Sequence, residues 1–243
     1  MSEEFKLPTE TIELPSKGLL YPEDSELAKG EIEIKYMTAK EEDILTNQSY
    51  IKKGVVLDKL MQSLIITKIN YNDLLIGDKN AIMVAARVLG YGKDYKFDYL
   101  GEEQIVDLSL IENKNIDEKI FQNRVNEFEF TLPHTQTLIT FKLLTHQDET
   151  NIQRELDGLK KIKKDNNPEL STRIKHLITS VNGNREAKDI RHFVDNYLLA
   201  RDSRALREHM RKIQPDVDLT FFPDGDDERV TIPMGTEFFW PDL

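Results

Sequence analysis

The sequence predicts an α+β fold on three observations. Residues 31–36 alternate strictly, with Ile32, Ile34 and Tyr36 on one face, which is the period of a strand. Residues 56–66 place Leu57, Leu60, Met61, Leu64 and Ile65 on one side of a helix. Two stretches, residues 95–110 and 218–233, read as strand, turn, strand. The chain then divides into an extended N-terminal arm over residues 1–30 and an N-terminal α+β domain with a hairpin over 31–111. A β link over 112–147 and a helical domain with a second hairpin and an aromatic tail over 148–243 complete it.

Each element has its own local reason. Pro15-Ser16-Lys17-Gly18 is a turn signal closing the arm. Thr38-Ala39-Lys40-Glu41 is a capping box, so a short helix follows and ends near Asn47. Asp78 is expected as the N-cap of a third helix that Gly90 stops, with Ile82, Ala85, Ala86 and Leu89 inward. The first hairpin turns over Gly101-Glu102-Glu103, and residues 112–120 form a polar loop. Residues 128–132 and 137–144 form an antiparallel pair around Pro133. The helical block has four elements: residues 148–164, a helix from Pro168 carrying apolar residues to Val181, one built on Ile190, Phe193 and Val194, and one capped by Asp202 and ended by Pro215. The second hairpin turns over Pro223-Asp224-Gly225-Asp226. It shares with the first an aromatic strand, an acidic turn containing glycine, and a strand that begins at valine (Val106, Val230).

Composition narrows the function classes. The chain has 243 residues, 39% apolar and 32% charged, so it holds enough apolar material for a core. A net charge of −11 disfavours nucleic acid and anionic membranes as partners. There is no cysteine, so disulfides and thiolate metal sites are excluded. Residues 1–6 lack the apolar run of a signal peptide, and no apolar stretch is long enough to span a bilayer. A soluble protein made in the cytoplasm is expected.

The residues that could carry chemistry do not assemble into a known pattern. His134, His146, His176, His192 and His209 are the histidines, and none forms the His-Glu-x-x-His spacing. There is no Gly-x-Ser-x-Gly elbow and no phosphate-binding glycine loop. No catalytic, cofactor or metal residue is assigned. Arg201, Arg204, Arg207, Arg211 and Lys212 partly line one side of the last helix. With no aromatics interleaved, they suit a solvated or protein-docking face better than a nucleic-acid one. Phe238, Phe239 and Trp240 stand out, because three large aromatics near a chain end need cover, from their own domain or from a partner.

Four segments carry a resemblance. They are Leu14-Pro15-Ser16-Lys17-Gly18-Leu19-Leu20-Tyr21-Pro22, then the stretch from Tyr36-Met37-Thr38-Ala39-Lys40-Glu41 to Asn47, then Asp73-Leu74-Leu75-Ile76-Gly77-Asp78-Lys79-Asn80, then Gly90-Tyr91-Gly92 with Tyr95. In this order they resemble the baseplate hub and hub-assembly proteins of T-even-like contractile phages. The likeness covers residues 11–110 and resumes near Ile190. In related sequences the two hairpins often carry Cys-x-x-Cys knuckles. Here Tyr99 and Leu100 stand in the first and Phe222, Pro223 and Asp224 in the second, which removes any metal expectation and leaves a degenerate, metal-free hairpin.

The resemblance implies a late viral protein, made in the host cytoplasm and destined for the tail baseplate. It implies no enzyme and no cofactor, and partners that are other baseplate or tail proteins. Leu19, Leu20, Tyr21, Phe238, Phe239 and Trp240 are the expected interface anchors. Two other readings stand beside it. One is a tail-assembly chaperone that leaves before completion. The other is a metal-free relic of a zinc-ribbon nucleic-acid binder.

Overall fold

The structure, a computed structural model, describes residues 7–162, 168–223 and 228–239. The fold is α+β, with small antiparallel sheets set among helices. β1 (Thr9–Glu13) pairs antiparallel with β2 (Glu31–Lys35), Ile12 opposite Ile32. The expected extended arm is therefore part of the fold from Thr9 onward. β2 buries Ile32 and Ile34 on one face, and β1 covers its open edge. The connection between them sinks Leu14, Leu20, Tyr21 and Leu27 into the core. Gly18 makes that connection possible: at φ +73 a side chain there would sit 2.4 Å from the Ala28 carbonyl oxygen.

α1 (Ala39–Leu45) starts at the capping box read from the sequence. Glu41 accepts from the Thr38 amide and hydroxyl, and also from Lys35 Nζ at 2.8 Å and Ser63 Oγ at 2.7 Å. Burial opposes its charge, but these donors outweigh burial and hold its pKa at about 2. One carboxylate thereby ties β2, α1 and α3 (Val56–Leu64) together. No apolar stripe announces α2 (Gln48–Lys52); its signal is Asn47, whose Oδ1 accepts from the Ser49 and Tyr50 amides.

α4 (Ile76–Tyr91) is the central helix. It runs one residue beyond the expected stop at Gly90. That glycine instead makes room for the Met37 side chain, and Gly92 at φ +84 follows the last turn. Arg87 is buried at this end and donates to the carbonyls of Gly92 and Asp94, placing positive charge at the helix C-terminus. β3 (Asp94–Tyr99) and β4 (Glu102–Asp107) follow as the first hairpin.

β5 (Phe128–Thr131), β6 (Leu138–Phe141) and β7 (Ile178–Val181) form a three-stranded antiparallel sheet in that order. α5 (His146–Ile162) and α6 (Glu169–Leu177) lie between β6 and β7 in sequence. The helix expected to reach Val181 thus ends at Leu177. From Ile178 the chain is extended and pairs with the free edge of β6, where Thr140 Oγ1 meets the Thr179 and Ser180 hydroxyls at 2.7 Å. The β link and the helical block therefore share one sheet.

α7 (Ala187–Asn196) and α8 (Ala200–Ile213) precede the second hairpin, β8 (Thr220–Phe221) with β9 (Val230–Thr231). Asp224, Gly225 and Asp226 of its expected turn lie outside the described residues. Buried apolar residues from Leu14 to Phe239 make a single cluster running through all four expected segments. Among the described residues no helix is long and apolar enough to cross a membrane.

Candidate interaction surface

The Leu14–Pro22 segment has a structural explanation. Asp78 is the third residue of α4, not its cap, which is Leu75. Its fully buried carboxylate accepts from the Ser16 amide at 2.9 Å, the Ser16 hydroxyl at 2.7 Å and the Tyr21 hydroxyl at 2.6 Å. The Tyr21 oxygen in turn accepts from the Leu75 amide at 2.9 Å. Burial pushes the Asp78 pKa up, against the pull of the Tyr21 and Ser16 donors. Gly77 lets this turn pack against residues 215–216, since a Cβ there would lie 1.9 Å from the Pro215 oxygen.

Asp202 repeats the position in α8, where the cap is Leu199. It accepts from the backbone amides of His134 at 2.8 Å and Thr135 at 3.2 Å, and so holds the turn between β5 and β6. Burial works against its charge, but the His134 and Thr135 donors prevail and keep its pKa low.

Most of the expected interface anchors face inward. Leu20 and Tyr21 are buried, and Leu19 is half-buried against the core. Phe238 and Phe239 are 0% exposed. Phe238 meets the Tyr95 ring edge-on at 4.8 Å, and Tyr95 donates its hydroxyl to the Pro233 carbonyl at 3.1 Å. These four side chains pack in the core of the chain. Their apolar area is already removed from water within the chain, and Tyr21 is further committed through its hydroxyl. Trp240 lies outside the described residues.

The two hairpins meet through aromatic rings. Phe97 stacks on Tyr95 at 5.2 Å and meets Phe221 edge-on at 5.1 Å, and Tyr99 approaches Phe221 at 6.4 Å. Around this packed interior is an uncovered rim. Leu100 is 86% exposed, Leu110 76%, Ile105 59% and Phe222 56%. Ile105, Leu110 and Phe222 line one shallow groove between the hairpins.

Leu100 also corrects the sequence reading of the turn. Tyr99 pairs with Glu102, so the turn is the two residues Leu100-Gly101, at φ +55 and +88. Both positions demand positive φ, where asparagine or aspartate would be favoured before glycine. A leucine there is backbone-strained and wet at once. The signal was present in the sequence: a leucine before glycine between two alternating stretches.

The charged groups are arranged for pairing. Asp58 accepts from Lys79 and from the Tyr71 hydroxyl at 3.1 Å, with His146 Nδ1 3.7 Å away and the His146 ring edge-on to Tyr71. Burial pushes the His146 pKa down, and Lys79 adds to this while Asp58 resists. Glu155 receives both terminal nitrogens of Arg191 and the His176 ring, and Arg191 foremost holds its pKa at about 2. His192 meets Asn196, and His209 stacks on Phe130, so His176, His192 and His209 are engaged separately. Among the described residues no group of three or more histidine or acidic side chains could hold a metal ion.

Neither a family model, nor a curated protein, nor a solved structure matches this chain.

Proposed function

We propose that this chain is a structural or assembly component of the central hub of a contractile phage tail baseplate, acting through protein–protein interfaces and without catalysis. The observation that carries the interface reading is the apolar rim of the paired hairpins, with Leu100 at its tip. An exposed apolar patch on an otherwise highly charged surface marks a place for a partner. Strain kept at an exposed leucine argues that the side chain itself is used. The hub assignment rests on the four resembling segments. The first and third meet at Asp78, and the second is built around Glu41. The partners are then other baseplate or tail proteins.

Leu100→Asn separates docking from folding. Asn-Gly suits this turn better, so the variant should hold or gain stability, by about 0.5 kcal/mol. In the same cells the variant should lower the yield of infectious tails. Normal tails from a stable Leu100→Asn chain would overturn the rim as an interface. Mass spectrometry of purified tails against assembly intermediates tests the residence of the protein. Presence in finished tails supports a hub component. Presence in intermediates alone makes the chain a departing assembly chaperone. A metal-free nucleic-acid binder would instead show salt-sensitive DNA binding, which the net charge of −11 disfavours.

A further inference from the structure

A second surface lies at the other end of α4 from the hairpins. Ile76, Leu144, Ile174, Leu177 and Met210 enclose a cavity of about 300 Å³ between the start of α4, α6 and α8. The volume is at the low end for a ligand site and fits one large side chain better than a whole cofactor. Leu170 stands at its rim, about half exposed.

The charge at the rim is unbalanced. Arg173 is committed to Glu149 at 2.6 Å and Glu169 at 3.2 Å. Arg207, on the opposite side, donates through Nε to the Ser203 carbonyl at 3.3 Å, and its terminal nitrogens have no carboxylate partner among the described residues. One turn further along α8, Arg211 and Lys212 add positive charge. Glu208, which feels both, is hydrogen-bonded to Arg204. An acidic protein thus sets a guanidinium without a carboxylate partner beside an apolar hole.

We propose that this cavity is a docking site for an acidic segment of a partner protein. The segment inserts one large apolar side chain and sets a carboxylate against Arg207. A guanidinium held at the mouth of an apolar hole forms charge-assisted hydrogen bonds with a carboxylate and discriminates against basic segments. Arg211 and Lys212 extend the attraction along the helix and speed encounter with an acidic chain. The site is independent of the hairpin rim, so its failure leaves the hub reading standing, and the reverse also holds.

The test is selection from a random peptide library displayed on yeast, using the immobilised full chain as target. Enriched peptides should share a large apolar residue with an aspartate or glutamate within one helical turn. Arg207→Glu, at the rim, should weaken their binding by about tenfold or more. Met210→Trp, which fills the hole, should do the same, while Lys96→Glu on the first hairpin should leave affinity unchanged. Circular dichroism and melting of each variant keep loss of fold from being read as loss of the site. The proposal fails if no peptide is enriched, if enriched peptides are basic, or if Arg207→Glu leaves their affinity unchanged. It also fails if a single-stranded oligonucleotide binds with the same dependence on Arg207.

Discussion

Asp78 is the third residue of α4 and Asp202 the third of α8, and each holds a segment more than 60 residues away in sequence. Asp78 takes two hydroxyls and one amide; Asp202 takes two backbone amides, with the Thr135 side chain also favouring its charged form. The hydroxyl receptor requires a particular serine and a particular tyrosine, so it leaves a mark in the sequence. The second receptor rests mainly on backbone amides, which almost any turn of the right shape supplies, and it leaves a fainter mark. The protonation preferences also oppose each other: burial dominates at Asp78 and raises its pKa, whereas donors dominate at Asp202 and lower it.

The largest expected effect comes from Asp78→Ala. It strands the Ser16 amide, the Ser16 hydroxyl and the Tyr21 hydroxyl in a dry site, at a cost of about 4 kcal/mol in urea unfolding. Asp202→Ala should cost about 2 kcal/mol, because water can reach the part-buried amides it leaves behind. A cost equal to that of Asp78→Ala would erase the distinction between the two receptors. Tyr21→Phe should cost about 1.5 kcal/mol, through the loss of one bond to Asp78 and of the acceptor for the Leu75 amide.

The smallest effect is a difference in pH dependence. Asp202 contributes stability above the ordinary aspartate value of 3.8 and loses it as pH falls through its lower folded value. Asp78 contributes below the ordinary value and loses that contribution as pH rises through its higher folded value. The advantage of wild type over Asp202→Asn should therefore shrink on acidification, and its advantage over Asp78→Asn should grow. Urea midpoints measured from neutral pH down to about 3 decide this, and slopes of the same sign would show that the two carboxylates are equivalent.

The same contrast explains what was legible in the sequence. The capping box at Thr38, the face of α3, the first hairpin and the β5–β6 pair all declare themselves locally. β7 did not, because Ile178 and Val181 continue a helical spacing from Leu177, and only the free edge of β6 decides against it. The role of Ser16 and Tyr21 needed their partner Asp78, 62 and 57 residues away. For the candidate surface, large aromatics near the end correctly signalled a need for cover, and the structure provides it internally for Phe238 and Phe239. The residues left uncovered, Leu100, Ile105, Leu110 and Phe222, look like ordinary strand and turn positions until the two hairpins are seen side by side.

The contact between Tyr95 and the segment from Pro233 to Phe238 has a consequence for the order of events in synthesis. Its partners are 138 residues apart in the chain, so the first hairpin leaves the ribosome long before the rings that will cap it. During that interval the first hairpin lacks its Phe221 and Phe238 contacts, and a two-stranded ribbon is too small to be stable alone. Completion of this corner must wait for the last segment to arrive, so in the growing chain it is set by synthesis and not by the closing of the loop.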